Sequence, residues 1–307
     1  MTQKHCILIG APVDCGKRTR GCLMGPDAYR TAGISEAITA LGLSVEDMGN
    51  LAPAQVDVAP AKNPQVYKLA ENVGWTQTLM NAARENAPRG MPIFLGGDHA
   101  LAAGTVAGMA AYAADQDRPF FALWLDAHSD IHTPDTTDSG NLHGTPVGYF
   151  TGRDGFDAFP PLKAAVPLEN ICMIGLRSVD PAEREALAGT DAILHDMRSI
   201  DEQGISAPLS AFLDRVAAVN GALHVSLDVD FLDPSVAPAV GTTVPGGATT
   251  REAHLIMEML CDSGLTGLVY LNARHSDDYN TGSNLAGQKV QDSYTVVNAR
   301  LGITGRD

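Results

Sequence analysis

The sequence has few basic residues, scattered cysteines and no hydrophobic run long enough to cross a membrane. Its 307 residues include 21 Lys and Arg against 36 Asp and Glu, which gives a formal net charge of −15. Because nucleic acids and anionic membranes bind basic protein surfaces, this balance argues against both as partners. It is compatible with a cationic small substrate, and equally with an acidic surface that only maintains solubility.

The five cysteines are odd in number and form no CxxC pair. A disulfide framework or a thiolate zinc site is therefore not expected. The segment 6–13 has the length of a short strand rather than that of the apolar core of a signal peptide. We therefore expect a cytoplasmic protein.

Short apolar runs alternate along the chain with helical patterns. The predicted strands are 6–10, 91–95, 120–125, 171–174, 192–194, 222–227 and 267–271. The predicted helices are 66–85, 101–114, 182–188, 206–219 and 251–261. This alternation predicts an α/β fold with a mostly parallel sheet, and no linker divides residues 1–307, which we expect to form one domain. Residues 133–167, rich in Gly, Pro, Asp and Thr, predict a long surface loop followed by a short helix.

Three of these strands run directly into acidic residues and histidines. The sequences that follow them are GGDH at 96–99, DAHSD at 126–130 and DVD at 228–230. Ligands of open parallel sheets bind beyond the carboxyl ends of the strands, so these side chains are expected to meet at one edge. GGDH or DVD alone would usually be a turn, a helix cap or the start of a loop, whereas DAHSD alone is as compatible with a metal site as with a turn. All three at the ends of buried strands favour a shared site.

The residue types at this edge predict a metal centre. Unpaired carboxylates at a dry strand end would repel one another, and divalent cations are the simplest compensation. A mixed oxygen and nitrogen donor set without thiolate suits manganese better than structural zinc, and six ligands exceed one tetrahedral site. We therefore predict two Mn²⁺ ions per subunit. The predicted ligands are His99, Asp126, His128, Asp130, Asp228 and Asp230.

Six ordered segments resemble the ureohydrolases, and within that family the arginases most closely. They are GGDH at 96–99, DAHSD at 126–130, SGNLHGTP at 139–146, GLRSVDPAE at 175–183, SLDVDFLDP at 226–234 and GTTVPGG at 241–247. The resemblance implies a three-layer α/β/α fold with two manganese ions bridged by Asp126 and Asp228. It also implies hydrolysis of a guanidino group to urea and an amine.

The resemblance further implies the roles of individual side chains. Asp130 would accept a proton from the attacking water, and His143 would protonate the departing amine. Ser139 and Asn141 match the positions that hold a substrate α-carboxylate, which favours an amino-acid substrate over agmatine; they could also be turn residues only. The remaining matches are Asp180 and Glu183, which would face the α-ammonium, and Thr242, which would lie near the guanidinium.

Two positions depart from the family pattern. His132 stands where the family carries a carboxylate-binding Asn, and it would still offer a donor to the substrate. A Glu that pairs with the guanidinium in the family is replaced by Tyr270 or Asn272, depending on the alignment. Loss of a buried partner for a guanidinium weakens binding strongly.

Three hypotheses for the function remain open at this point. The first is hydrolysis of L-arginine to L-ornithine and urea. The second is action on another guanidino or amidine substrate, such as agmatine, guanidinobutyrate or formiminoglutamate, and the third is a metal-binding relative without catalytic activity. Relatives usually form trimers or hexamers, so a homo-oligomer is expected, although residues 265–307 are atypical for the family.

Overall fold

A computed structural model describes residues 5–265 and the backbone of a strand at Leu271–Ala273. Its described strands are β1 (His5–Ala11), β2 (Ser44–Asn50), β3 (Met91–Gly96), β4 (Phe120–Leu125), β5 (Ile171–Leu176), β6 (Ile193–Asp196), β7 (Ala222–Leu227) and β8 (Leu271–Ala273). They form one sheet in the order β2-β1-β3-β8-β7-β4-β5-β6, and every pairing is parallel. The predicted parallel α/β fold is confirmed.

Helices cover both faces of the sheet. They are α1 (Gly25–Thr31), α2 (Ile34–Ala40), α3 (Leu69–Asn86), α4 (Leu101–Asp115), α5 (Pro146–Phe150), α6 (Pro181–Leu187), α7 (Met197–Gln203), α8 (Ser206–Ala218) and α9 (Thr250–Asp262). Helices α3, α4 and α5 contribute to one hydrophobic core, and α1, α2, α8 and α9 to the other. The predicted three-layer architecture therefore follows from two cores with the sheet between them.

Strand β4 explains why a continuous apolar run is a strand here. Phe120, Ala122 and Trp124 belong to one core, whereas Phe121, Leu123 and Leu125 belong to the other. Side chains of a strand alternate between faces, so a strand covered on both sides needs apolar residues at every position.

Residues 142–150 contain the predicted short helix, but they are largely buried rather than part of a surface loop. The 3₁₀ turn Leu142–Gly144 leads directly into α5. Tyr149 and Phe150 are buried, and Phe150 lies 5.9 Å from Trp124 between ring centroids. The Gly, Pro and Thr content of this segment gave no indication that its apolar side chains pack into the same hydrophobic core as those of α3 and α4.

Strand order brings the three charged segments together. Strands β3 and β7 flank β8, and β4 is paired with β7, so their carboxyl ends lie side by side. Among residues 5–265, no helix is both long enough and apolar enough to span a bilayer.

Candidate active site and metal centre

The segments after β3, β4 and β7 place the predicted ligands around His99. Its Nδ1 atom lies 2.9 Å from Asp126 Oδ2, 3.1 Å from Asp130 Oδ2 and 3.3 Å from Asp228 Oδ2. The side chains of His99, Asp126 and Asp228 are each 1 % exposed. Four residues from three strand ends thus point nitrogen and oxygen atoms at one buried point.

A second group forms around His128 and shares Asp126 with the first. Nδ1 of His128 lies 3.3 Å from Asp126 Oδ1 and 3.3 Å from Asp230 Oδ2. The two oxygens of Asp126 therefore face different histidines, as a bridging carboxylate would. His128 is 19 % exposed, so this half of the cluster is the one nearer to solvent.

Neighbouring groups fix the orientation of His99 and Asp126. His99 Nε2 lies 2.8 Å from Ser226 Oγ, and its ring stacks on Trp124 with centroids 4.3 Å apart. A proton on Nε2, donated to Ser226, leaves the Nδ1 lone pair for a cation. The backbone N–H of His128 donates to Asp126 Oδ1 at 2.7 Å. These contacts set the ligand atoms in place without any help from a substrate.

The electrostatics of the cluster explain why a cation belongs there. Burial would lower the pKa of His99, but the Asp126 and Asp130 carboxylates raise it to about 10. Burial, together with the charge of Asp126, raises the pKa of Asp130 to about 7. Burial also opposes protonation of His128, yet Asp126 and Asp230 raise its pKa to about 12. The neighbouring carboxylates thus keep His99 and His128 protonated at neutral pH in the absence of metal. A bound divalent cation would replace these protons.

Two buried atoms test the fit to a metal directly. His99 Nδ1 and Asp126 Oδ2 are 2.9 Å apart, but within the described residues neither has a hydrogen-bond partner of good geometry. Buried polar atoms are normally satisfied, so a pair left in this way indicates a missing ligand. The oxygen and imidazole donors match the preference of divalent manganese and related ions.

The segment that carries His143 is tied to the same cluster. The backbone N–H of His143 donates to Gly16 O at 3.0 Å, and the N–H of Val147 donates to Asp130 O at 3.0 Å. Asp130 itself has a positive φ of 48°, a conformation that non-glycine residues seldom adopt. The backbone is thus held in an unusual conformation at a predicted metal ligand, to which the segment after His143 is hydrogen-bonded.

Ser139 and Asn141 lie together just before that turn. Asn141 N–H donates to Ser139 Oγ at 3.2 Å, and the Asn141 side-chain oxygen accepts from the backbone N–H of Arg18 at 3.2 Å. The side-chain oxygen of Asn141 thus accepts a hydrogen bond from within the protein. Its side-chain NH₂ group is the donor that Asn141 can offer to a ligand. Arg18 also stacks over Tyr67, at 5.2 Å from the ring centroid.

The remaining predicted substrate residues fall into two places. Asp180 caps α6 by accepting from Glu183 N–H at 3.0 Å, and Glu183 Oε1 accepts from Ser129 Oγ at 2.8 Å. Thr242 is half-buried in the loop before α9. Tyr270 lies outside the described residues, as does the side chain of Asn272, so the replacement of the guanidinium-binding Glu stays a prediction.

Comparison with known proteins assigns this arrangement to a family. The sequence model that describes the arginase family matches residues 4–286 of this chain. This chain belongs to the arginase family. The resemblance found in the sequence is thereby confirmed.

Its relatives within the arginase family match over most of their length. An arginase of Brucella melitensis is 54% identical over 303 residues, which cover 95% of this chain and 99% of the relative. An arginase of Agrobacterium fabrum is 57% identical over 263 residues, covering 85% of this chain and 81% of the relative. The crystal structure of an arginase from Bacillus caldovelox has a TM-score of 0.84 at 29% identity, covering 98% and 99% of the two chains.

Arg177, within the arginase-like segment 175–183, is one site residue that sequence reasoning missed. Its guanidinium donates to the carbonyls of Asp230 at 2.5 Å and Val244 at 2.8 Å, and burial lowers its pKa. It therefore joins the turn that carries the predicted metal ligand Asp230 to the loop that carries Thr242. A planar group with five donors suits this role, and the signal was present in the match of the segment itself.

Ser226 and Trp124 were missed for a different reason. Both lie inside predicted strands, where a serine or a tryptophan indicates nothing beyond strand propensity. Only the parallel pairing of β4 with β7, which aligns Trp124 with Ser226, brings both to His99. Nothing in the local sequence indicates that pairing.

Proposed function

We propose that this chain hydrolyses the guanidino group of L-arginine to L-ornithine and urea, at a centre of two Mn²⁺ ions. The observation that carries the proposal is Asp126, whose two oxygens face His99 at 2.9 Å and His128 at 3.3 Å. That geometry supports two cations that share Asp126, and the family resemblance adds Asp228 as a second shared carboxylate. His99, Asp126, Asp130 and Asp228 would hold one ion, and Asp126, His128, Asp228 and Asp230 the other.

Bound divalent ions would supply Lewis-acid activation of water. Asp130 would accept the proton of the attacking water, because one of its oxygens faces the ligand cluster and the other lies on the side of Gly144, next to His143. The oxygen would then add to the guanidino carbon, and the C–N bond to the side-chain nitrogen would break with its electron pair going to that nitrogen. His143 would protonate the nitrogen, so that the amine leaves in neutral form, and the proton held by Asp130 would replace the one that His143 gave up.

The other predicted site residues would select the substrate. Ser139 and the NH₂ group of Asn141 would hold the α-carboxylate, Asp180 and Glu183 would face the α-ammonium, and Thr242 would lie near the guanidinium. His132 Nε2 lies 2.6 Å from Asp180 Oδ2 at the predicted ammonium site. The matches at Ser139 and Asn141 are what favour an amino acid over a decarboxylated substrate.

A urea-release assay of the manganese-loaded chain tests the proposal. L-Arginine is compared with agmatine and guanidinobutyrate, and formiminoglutamate is followed by formamide release. We expect arginine to be the best substrate and metal analysis to give two ions per chain. No turnover of any of the four with two ions bound would refute the enzyme, and a preference for agmatine would refute the roles of Ser139 and Asn141.

We also propose that the chain is a cytoplasmic homo-oligomer, a trimer or a hexamer. The support is the family resemblance. Mass measurement of the native protein by light scattering tests the oligomer, and a monomer would refute it.

A further inference from the structure

The side chain of His132 lies between the metal-binding segment after β4 and the start of α6. Its Nε2 atom is 2.6 Å from Asp180 Oδ2, and its Nδ1 atom is 3.1 Å from Thr136 Oγ1. The His132 side chain is 12 % exposed, whereas that of Asp180 is 47 % exposed. The imidazole is thus the inner member of the pair, and the carboxylate is the one that faces outward.

The neighbours of the ring determine its proton positions. The Asp180 carboxylate can only accept, so the proton of the neutral ring lies on Nε2. The Thr136 hydroxyl oxygen already accepts from Thr133 N–H at 2.9 Å, which leaves the hydroxyl proton for Nδ1. With both nitrogens engaged, the ring has no N–H left for a substrate carboxylate.

Asp180 is held at both oxygens and keeps room for a further donor. Oδ1 accepts from Glu183 N–H at 3.0 Å, and Oδ2 accepts from His132. These donors hold the pKa of Asp180 below its ordinary value although burial opposes them, so the group is an anion at neutral pH. A carboxylate has about four lone-pair sites, and a free one on Oδ2 can accept from an ammonium group.

We infer that His132 is a positioning residue for substrate specificity, which acts through Asp180 by aiming that carboxylate at the α-ammonium of an amino-acid substrate. The inference rests on the proposed function, because that proposal gives Asp180 its ammonium. Recognition of the α-carboxylate is then the task of Ser139 and Asn141 alone. His132 replaces a direct contact with the substrate by an indirect one.

Three ligands that differ only in their end groups test this in the manganese-loaded full chain. L-Ornithine carries both α-ammonium and α-carboxylate, 5-aminovalerate lacks the α-ammonium, and 1,4-diaminobutane lacks the carboxylate. Isothermal titration calorimetry gives their Kd values for the wild type and for His132→Ala. Without His132, the Asp180 carboxylate should lose its hydrogen bond to the ligand's ammonium group. We therefore expect binding of ornithine and diaminobutane to weaken about ten-fold, and that of aminovalerate to stay unchanged.

The other patterns contradict the inference. Weaker binding of ornithine and aminovalerate, with diaminobutane unchanged, would mean that His132 contacts the carboxylate itself. Equal weakening of all three would mean a merely structural role. Failure of the wild type to bind ornithine at all would equally overturn it.

Two further variants separate positioning from loss of structure. The amide nitrogen of His132→Gln can occupy the place of Nε2 and should restore the wild-type Kd values. In an Asp180→Ala background, His132→Ala should have no further effect on ornithine binding, because its action runs through Asp180. An additive effect of the two substitutions would refute the inference.

His5 offers a matched control at the other end of the sheet. Its Nδ1 is 2.9 Å from Ser44 Oγ and its Nε2 is 3.3 Å from Glu46 Oε2, so it also bridges a hydroxyl and a carboxylate. His5→Ala should leave all three Kd values unchanged. Binding needs no turnover, so wild-type protein that releases no urea from arginine would refute the proposed function while the Kd pattern still decides the role of His132.

Discussion

The two ends of the sheet treat their acidic residues in opposite ways. At the amino end, Glu46 lies 2.7 Å from the Arg89 guanidinium and 3.3 Å from His5, and all three side chains are partly exposed. At the carboxyl end, Asp126 and Asp228 are buried and face His99. The same chemical group is an ordinary surface partner in one place and a candidate metal ligand in the other.

The difference between the ends comes from solvent rather than from residue type. Arg89 pairs with Glu46 and water screens both exposed charges, so this ion pair contributes little to stability. Buried carboxylates have no such screening, and they need a cation fixed by the fold. Four predictions test this distinction, and those with the strongest expected effects come first.

Asp126→Asn should have the largest effect. Changing groups that merely orient ligands already lowers metal affinity or activity about 10–100-fold, so loss of a shared ligand should reduce urea release at least 100-fold. Both ions should bind more weakly, as measured by metal analysis after dialysis. Loss of one ion alone would contradict the shared role of Asp126, and Glu46→Gln is the matched control at the amino end.

Removal of the metal should reverse the direction in which the stability of the folded chain changes with pH. His99 has a pKa of about 10 in the folded metal-free chain and about 6.5 when unfolded, so its stabilisation is complete below about pH 6.5. That stabilisation is lost as the pH rises toward 10. Metal binding needs deprotonated ligands and strengthens over the same range.

The gap in Tm between manganese-loaded and chelator-treated protein should therefore widen by several degrees from pH 6.5 to pH 9. Thermal unfolding followed by circular dichroism measures it. A gap that stays constant or narrows would show that the cluster does not retain protons in the absence of metal.

Arg177→Lys should have an intermediate effect. Lysine keeps the charge but cannot reach the carbonyls of both Asp230 and Val244, so the turn with Asp230 should loosen. We expect affinity for manganese to fall about ten-fold, measured by calorimetry. Arg84→Lys, in an exposed ion pair with Asp115, is the control and should leave that affinity unchanged.

Glu46→Gln should have the smallest effect. Hydrogen bonds from Arg89 and His5 lower the pKa of Glu46, so its contribution is present at neutral pH and is lost as the pH falls through that lowered pKa. The Tm at pH 7 should fall by about two degrees or less, and the two proteins should converge in acid. A large loss at pH 7 would contradict the distinction between the two ends.

The sequence predicted the interior of the fold better than its edge. Strand β4 is apolar throughout and was recognised at its full length, because both faces are buried. Strand β2, with Glu46, Asp47 and Gly49, was missed, because it lies at the edge of the sheet and shows no apolar run. Edge strands need not be apolar on both faces, so hydrophobicity missed β2, although it marked β6 at the opposite edge.

The candidate site divides in the same way. The six predicted ligands come from short segments directly after recognisable strands, and the structure brings them together. The contact of His132 with Asp180 spans 48 residues of sequence, and that of Arg177 with Val244 spans 67. Such pairs depend on how loops fold over the sheet, and no local pattern encodes them.

The position of β8 has a consequence for the order in which the molecule can be completed. This strand is made after all the other described strands, yet it lies in the middle of the sheet and joins β3 to β7. His99 belongs to the half that is synthesised first, and Asp126 and Asp228 to the later half. A growing chain therefore cannot close the sheet between the two halves, or bring His99 to Asp126 and Asp228, until residues 271–273 have left the ribosome. The predicted metal centre is thus one of the last parts of the described fold to be completed.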